Sequence, residues 1–457
     1  MKFTLYPIIF AGISLLLFSC SPRDTSSLNV PLEYYKLPNG LKVVLSPDHT
    51  APIVTVVVYY NIGFRIEPKD RTGFAHLFEH MMFQGSQNLG KMEFIRLIQK
   101  NGGVLNGSTR FDFTNYFEIL PSHKLETALW AEADRMRGLD LTQENLVNQQ
   151  GVVTNEVKVS VINQPYGGFP WLDMPQCANT NWYNSHNFYG ELSDLQAATL
   201  AEVKEFFRTY YAPNNAALAV VGDIDIEEAK NLIEKYFGSI PSVTLPVQPD
   251  ISEPSPTAAK FCTKIDSLAN RPALAYAYHM PERGTAEYYA MGLIDQILVQ
   301  GEDSRLYNAL VQKKGITQSV EGGINLLGNM LNYKGPMLWM FSFVHDSTTS
   351  RTEIAAVVDS VVTTLQNIQI DQATLDRAMV KFRSSYYDMV GGFFGFGRAD
   401  LLASFALFDD NPQKINEIED QMKKVTPELI QKTAKEYLRN TALTTLAVKT
   451  KWESKGE

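Results

Sequence analysis

With 457 residues the chain is long enough for more than one hydrophobic core. Its 45% hydrophobic and 20% charged content is that of a globular protein and excludes wholesale disorder. A net charge of −9, with Lys and Arg scattered rather than clustered, argues against nucleic acid as a partner.

The first element in chain order is a targeting segment, set aside before the fold is read. Lys2 supplies a minimal positive start, "YPIIFAGISLLLF" an apolar stretch, and "LFSC" at Leu17 to Cys20 closes it. This end resembles a bacterial lipoprotein signal, with residues 1–19 removed, Cys20 lipidated and residues 20–32 serving as a tether. An ordinary secretory signal or an uncleaved anchor with an incidental cysteine is the alternative. The polar run "SPRDTSS" directly after Cys20 favours lipidation. No later stretch approaches the roughly 18 apolar residues of a transmembrane helix. The expectation is therefore a body held to the bacterial cell envelope by lipid, facing the periplasm or the cell surface. Of the three cysteines only Cys177 and Cys262 then remain. They could form one disulfide in an oxidising compartment or stay as two buried thiols.

From about Leu37 strands and helices alternate. "GLKVVLSP" and "PIVTVVVYYNIG" are β-branched runs bounded by turn residues and predict strands. Two helices follow, one holding the histidines of "GFAHLFEHMMFQG" and one in "KMEFIRLIQKNGG". "NYFEILP" predicts a further strand, and "KLETALWAEADRMRG" has helical spacing. Pro241, Pro246, Pro249, Pro254 and Pro256 exclude helix and predict an extended linker over 241–258. It divides the chain into segments 33–240 and 259–457, each of plausible domain size.

The two segments look alike. "TLAEVKEFFRTYYAPNNAALAVV" from Thr199 and "TPELIQKTAKEYLRNTALTTLAV" from Thr426 share a helix-turn-strand pattern, with Tyr210 opposite Tyr437. "AHLFEHMMFQG" likewise matches "AMGLIDQILVQG" within one residue of register, which predicts an internal duplication. The second copy then carries Met291, Ile294 and Asp295 where the first has His76, Glu79 and His80, so only the first half can bind metal.

His76 and His80 share one face of a helix, being four residues apart, and Glu79 leans the same way. Two neutral imidazoles can ligate zinc while the neighbouring carboxylate works on water, in the order His-x-x-Glu-His. The competing reading is of two satisfied histidines and a solvated glutamate. A catalytic zinc has three protein ligands as a rule. The third candidate is Glu156, in "VVTNEVKVSV", 76 residues after His80.

With this residue the chain resembles the pitrilysin-like zinc metallopeptidases, the family of mitochondrial processing peptidase and insulin-degrading enzyme. The resemblance extends to "NGGVLNGSTRFDFTNYFEILP" and "YYAPNNAALAVVGD" and covers most of residues 33–450. It implies an α+β fold of two homologous halves, each a mostly antiparallel sheet covered by helices, forming a clamshell around an internal chamber. It implies Zn²⁺ held by His76, His80 and Glu156, Glu79 as general base, and a peptide substrate. Asn106 and Gly107 would help to hold that substrate as an added strand. Asn106 as a simple turn residue before Gly107 is the other reading.

Two positions depart from the family pattern. Seven residues before Glu156, where a second glutamate is common, stands Gln149, which hydrogen-bonds but carries no charge. In "LVQKKGITQSV" Val311 and Gln318 occupy the places of an Arg and Tyr that in single-chain members reach the bound peptide. The resemblance therefore implies a heterodimer, in which a homologous partner without zinc supplies that pair. Substitution by Arg305 or Tyr307 of "SRLYNAL" is the competing idea. "GGFFGFG" at 391–397 follows a helix and precedes no P-loop lysine, so it is read as a loop bordering the chamber rather than a nucleotide site. His186 is read as structural or substrate-facing. The rival from another class is a non-catalytic peptide-binding or scaffold lipoprotein, disfavoured because all four of His76, Glu79, His80 and Glu156 are present. A serine hydrolase lacks its G-x-S-x-G elbow here.

Overall fold

The computed structural model describes residues 28–451. The expected leader, Cys20 and the first part of the tether lie outside the described residues. The end of that tether does not hang free. Val30 is buried, its N–H donates to Asn416 Oδ1 at 2.6 Å, and Asn416 Nδ2 donates back to its carbonyl at 3.0 Å.

The first sheet comprises β1 (Glu33–Lys36), β2 (Lys42–Pro47), β3 (Ile53–Tyr60), β4 (Val104–Thr109), β5 (Thr114–Pro121) and β6 (Ala216–Gly222), in the order β1-β2-β6-β3-β5-β4. The second comprises β7 (Lys260–Asp266), β8 (Ala273–His279), β9 (Glu321–Ile324), β10 (Leu338–Val344) and β11 (Thr444–Thr450), in the order β7-β11-β8-β10-β9. Each has one parallel pair, β2 with β6 and β7 with β11, and its other pairs are antiparallel. Removing β1 makes the two orders superimpose strand for strand, the structural form of the duplication read in the sequence.

Both faces of the first sheet are covered, which is why β3 is a continuous apolar run, IVTVVVYY, rather than an alternating one. Val54, Val56, Val58 and Tyr60 pack with helices α1 (Phe74–Met81), α2 (Glu93–Lys100), α3 (Leu125–Arg137) and α4 (Gln143–Val157) of the same half. Val57 and Tyr59 meet a helix from the other half, Phe396–Asp409. Its Phe396 ring lies 4.1 Å from Phe117 and its Phe408 ring 6.1 Å from Phe113, and the Tyr59 hydroxyl donates to Asp400. The exchange is mutual. After α4 the chain crosses to the second sheet, where α5 (Asp173–Ala178) sets Met174 and Ala178 against Ala275, Ala277, Leu338, Met340 and Leu446.

The segments 33–240 and 259–457 are therefore not separate bodies, because each lends the other a layer that its sheet needs. The stretch 241–256 has neither helix nor strand, yet it is pinned. Glu253 accepts from the Thr180 hydroxyl at 2.6 Å and from the Asn181 N–H at 3.1 Å. Cys177 and Cys262, left open between thiols and bridge in the sequence, are disulfide-bonded and tie α5 to β7. Among the described residues no single helix is long and apolar enough to cross a membrane. A bent pair, Gln372–Gly391 with Phe393–Asp409, meets that test by length and composition, but residues 399–407 of the second member are buried in the protein.

Candidate metal centre

Helix α1 turns its apolar side, Phe74, Leu77, Phe78 and Met81, into the core. The remaining side presents His76 and Glu79 to a hollow and sets His80 beside His76. Its N-terminal residue before the first turn is Gly73, at φ +84°, with no capping side chain of its own. Glu67 supplies the cap from outside the helix: its carboxylate accepts from the N–H of Gly73 at 2.8 Å and of Ala75 at 2.6 Å. Complete burial pushes the Glu67 carboxyl up to about 8 against the pull of those two donors.

Helix α4 begins at a Thr142 cap, which accepts from the Asn145 N–H, and carries Glu156 in its last turn. The packing of α4 on α1 brings Glu156 Oε1 to 3.4 Å from His76 Nε2 and Oε2 to 3.3 Å from His80 Nε2. One ligand atom from each of the three residues lies within 4.8 Å of the others, and no other such set occurs among the described residues. Donors about 2.0–2.1 Å from a tetrahedral zinc ion are separated by roughly 3.3 Å, so the two imidazole–carboxylate distances and the donor chemistry fit that ion. The two imidazoles hold the Glu156 carboxyl well below the ordinary carboxylate range, which keeps it an anion. In the second half Met291 and Ile294 are buried in the core, and Asp295 accepts from Trp339 Nε1 at 2.7 Å, so that copy holds no equivalent set.

Glu79 does not join the set. Its Oε2 accepts from the Thr109 hydroxyl at 2.7 Å, which leaves Oε1 free toward the hollow. Gly107 lies beneath it on β4, where a Cβ would stand 3.3 Å from Glu79 Cγ. Asn106 is in the strand, not in a turn, and its side chain accepts from the Gly107 N–H at 2.9 Å. Since β4 ends the sheet, its outer edge is unpaired by any described strand. Two residues not singled out from the sequence complete the wall. Tyr189 sets its ring edge-on to His76 at 5.1 Å with its hydroxyl 3.4 Å from Glu156, and Trp171 packs on Tyr189 at 5.5 Å. The hollow, of about 610 Å³, takes Leu327, Phe393 and Phe396 from the second half.

The other sequence candidates fall elsewhere. Gln149 is buried, and its amide donates to Asn148 at 2.8 Å rather than to a ligand histidine. His186 is structural: its ring nitrogens meet the carbonyls of Trp182 at 3.0 Å and Phe64 at 2.9 Å. Arg305 faces Thr374, Arg377 and Lys381, and neither it nor Tyr307, Val311 or Gln318 lines the hollow. The GGFFGFG loop does border it.

The fold and this set define a class. Residues 42–166 match the family model described as insulinase (peptidase family M16), and residues 197–381 match the one described as the peptidase M16 inactive domain. The chain belongs to peptidase family M16. A relative named zinc protease PqqE, from Helicobacter pylori, is 25% identical over 91% of this chain and 92% of its own length. One named probable zinc protease PqqL, from Haemophilus influenzae, is 24% identical over 68% of this chain and 34% of its length. Among solved structures, a protease from Helicobacter pylori superimposes with a TM-score of 0.85 at 25% identity, over 92% of this chain and all of that one. The periplasmic protease PqqL from Escherichia coli shares the fold at a TM-score of 0.75 and 16% identity, over 94% of this chain but 49% of that one.

Proposed function

We propose that the protein is a zinc-dependent endopeptidase of the bacterial cell envelope, hydrolysing peptides or unfolded segments laid along β4. The observation that carries this reading is the convergence of His76, His80 and Glu156 within 4.8 Å, with the free oxygen of Glu79 and an unpaired strand edge beside them. When bound, zinc supplies positive charge that acidifies water and polarises a carbonyl. Glu79, oriented by Thr109, takes the proton of the attacking water at Oε1 and returns it to the leaving amine nitrogen. Asn106 and Gly107 lie where a substrate backbone would pair with the sheet.

A homologous partner supplying an Arg and a Tyr is part of the reading. One feature supports it: neither Arg305 nor Tyr307 lines the hollow. Lipidation at Cys20, with the body in or facing the periplasm, is the matching placement, supported by the disulfide, which suits an oxidising compartment. A non-catalytic scaffold role is disfavoured by the complete ligand set.

The test is zinc analysis and peptide cleavage of the natively purified protein, with and without its co-purifying partner. Glu79→Gln should keep the metal and lose about 10²- to 10⁴-fold in turnover. Preserved turnover assigns the base wrongly, and full activity of the chain alone with zinc rules out the partner.

A further inference from the structure

The edge strand β4 has two faces, and the hollow wraps around both. Register with β5 sets Gly107 opposite Tyr116 and Asn106 opposite Phe117. Gly107 and Thr109 therefore point to α1 and Glu79, whereas Asn106 and Ser108 share the face of Phe117. On that second face Phe117 packs against Phe396, with ring centroids 4.1 Å apart, and against Phe393 at 6.2 Å. All three rings line the hollow.

Phe393 is 58% exposed, an unusual position for a phenylalanine beside a well-packed core. Its backbone is unusual too. Phe393 and Phe394 have φ of +46° and +54°, followed by Gly395 at +87°. L-residues with large side chains rarely enter that region, and a loop that only joined two helices would place glycine or asparagine there. The Thr55 hydroxyl donates to the Phe394 carbonyl at 2.9 Å and holds the turn against β3.

We propose that Phe393, backed by Phe117 and Phe396, is a specificity-determining shelf for an extended peptide paired to β4. This rests on the peptidase reading of the same hollow. Side chains of an added strand alternate with a period of two. Peptide residues opposite Gly107 and Thr109 turn toward α1, and those opposite Asn106 and Ser108 turn onto the shelf. Three rings there favour a large apolar or aromatic side chain and disfavour a basic one, which would lose its water and meet only Arg110 as a charged neighbour in that wall.

The test separates binding from turnover by using zinc-loaded, full-length Glu79→Gln protein and short labelled peptides, polar except for one Phe walked along the chain. Fluorescence anisotropy should show an affinity gain of about 10-fold at alternate positions. Adding Phe393→Ala should abolish the gain, Phe393→Leu should keep most of it, and binding of the all-polar peptide should not change. A gain untouched by Phe393→Ala, or no gain at any position, overturns the shelf. Cleavage by the natively purified protein, zinc-loaded and with its co-purifying partner, is followed in parallel. Apolar-selective binding with no cleavage by that assembly overturns the peptidase reading and leaves the shelf standing; cleavage with selectivity independent of Phe393 does the reverse.

Discussion

Glu67 does for α1 what no adjacent residue can, since Gly73 has no side chain to cap the helix that carries three of the four key groups. Its raised value sets a pH dependence whose sign can be worked out. Between about 4.5 and about 8 the folded state keeps a proton on Glu67 that the unfolded chain has released, so this group's contribution to stability falls as pH rises through that window. Glu67→Gln removes the slope while retaining one of the two cap bonds. The variant should be less stable than the parent near the bottom of the window, and the gap should narrow toward its top, as read by urea melts at both ends. A gap that is constant with pH would show that Glu67 does not titrate there. At this scale the sequence was legible where neighbours are set by helix geometry: His76, Glu79 and His80 follow from a spacing of four. Glu156 is a candidate only because a third ligand is required, and its role rests on the family resemblance, because no local rule reaches 76 residues. Thr109 was within reach, two places after Gly107 on the same face of a strand. Glu67 and Tyr189 meet the site through tertiary paths that leave no periodic trace.

The elements that matter most are α1 and β4, and Gly107 is where they nearly touch. Its φ does not lie in the left-handed region, so the backbone admits Ala, but the added Cβ would stand 3.1 Å from the buried Tyr116 ring and 3.3 Å from Glu79 Cγ, and the glutamate is the neighbour able to give. Gly107→Ala should fold, bind zinc normally and lose about 10²-fold in kcat, the cost of displacing a reacting group by about 1 Å. Loss of zinc along with kcat would show that the strand shapes the metal site instead. Strands β2, β3 and β5 and helices α2 and α3 were all readable from apolar patterning. Strand β4 was harder, since "VLNGST" has turn composition and becomes a strand through its register with β5. The crossing of α5 and of Phe396–Asp409 onto the opposite sheets was not readable, because an apolar helix does not state which sheet it will cover.

For the whole molecule, the Cys177–Cys262 bridge closes a loop spanning 85 residues. Such a constraint on the unfolded chain is worth about 2–4 kcal/mol, and reduction should lower the melting temperature accordingly. An unchanged melt would mean that the exchanged helices already supply that constraint. The sequence could offer the pairing only as an option, since the contact depends on α5 crossing to β7. Val311 and Gln318 do not line the hollow, and it is on the proposed reading that an Arg and a Tyr would come from a second subunit.

The exposed proline-rich stretch lies between the two bridged cysteines. A protease that nicks the backbone there would leave both pieces interlocked, like two hands with fingers laced. The clipped protein should migrate as a single species on a denaturing gel without reductant and fall into two bands once thiol is added. In native buffer it should elute unchanged even then, so a scission that looks fatal on paper would cost the molecule its continuity but not its shape.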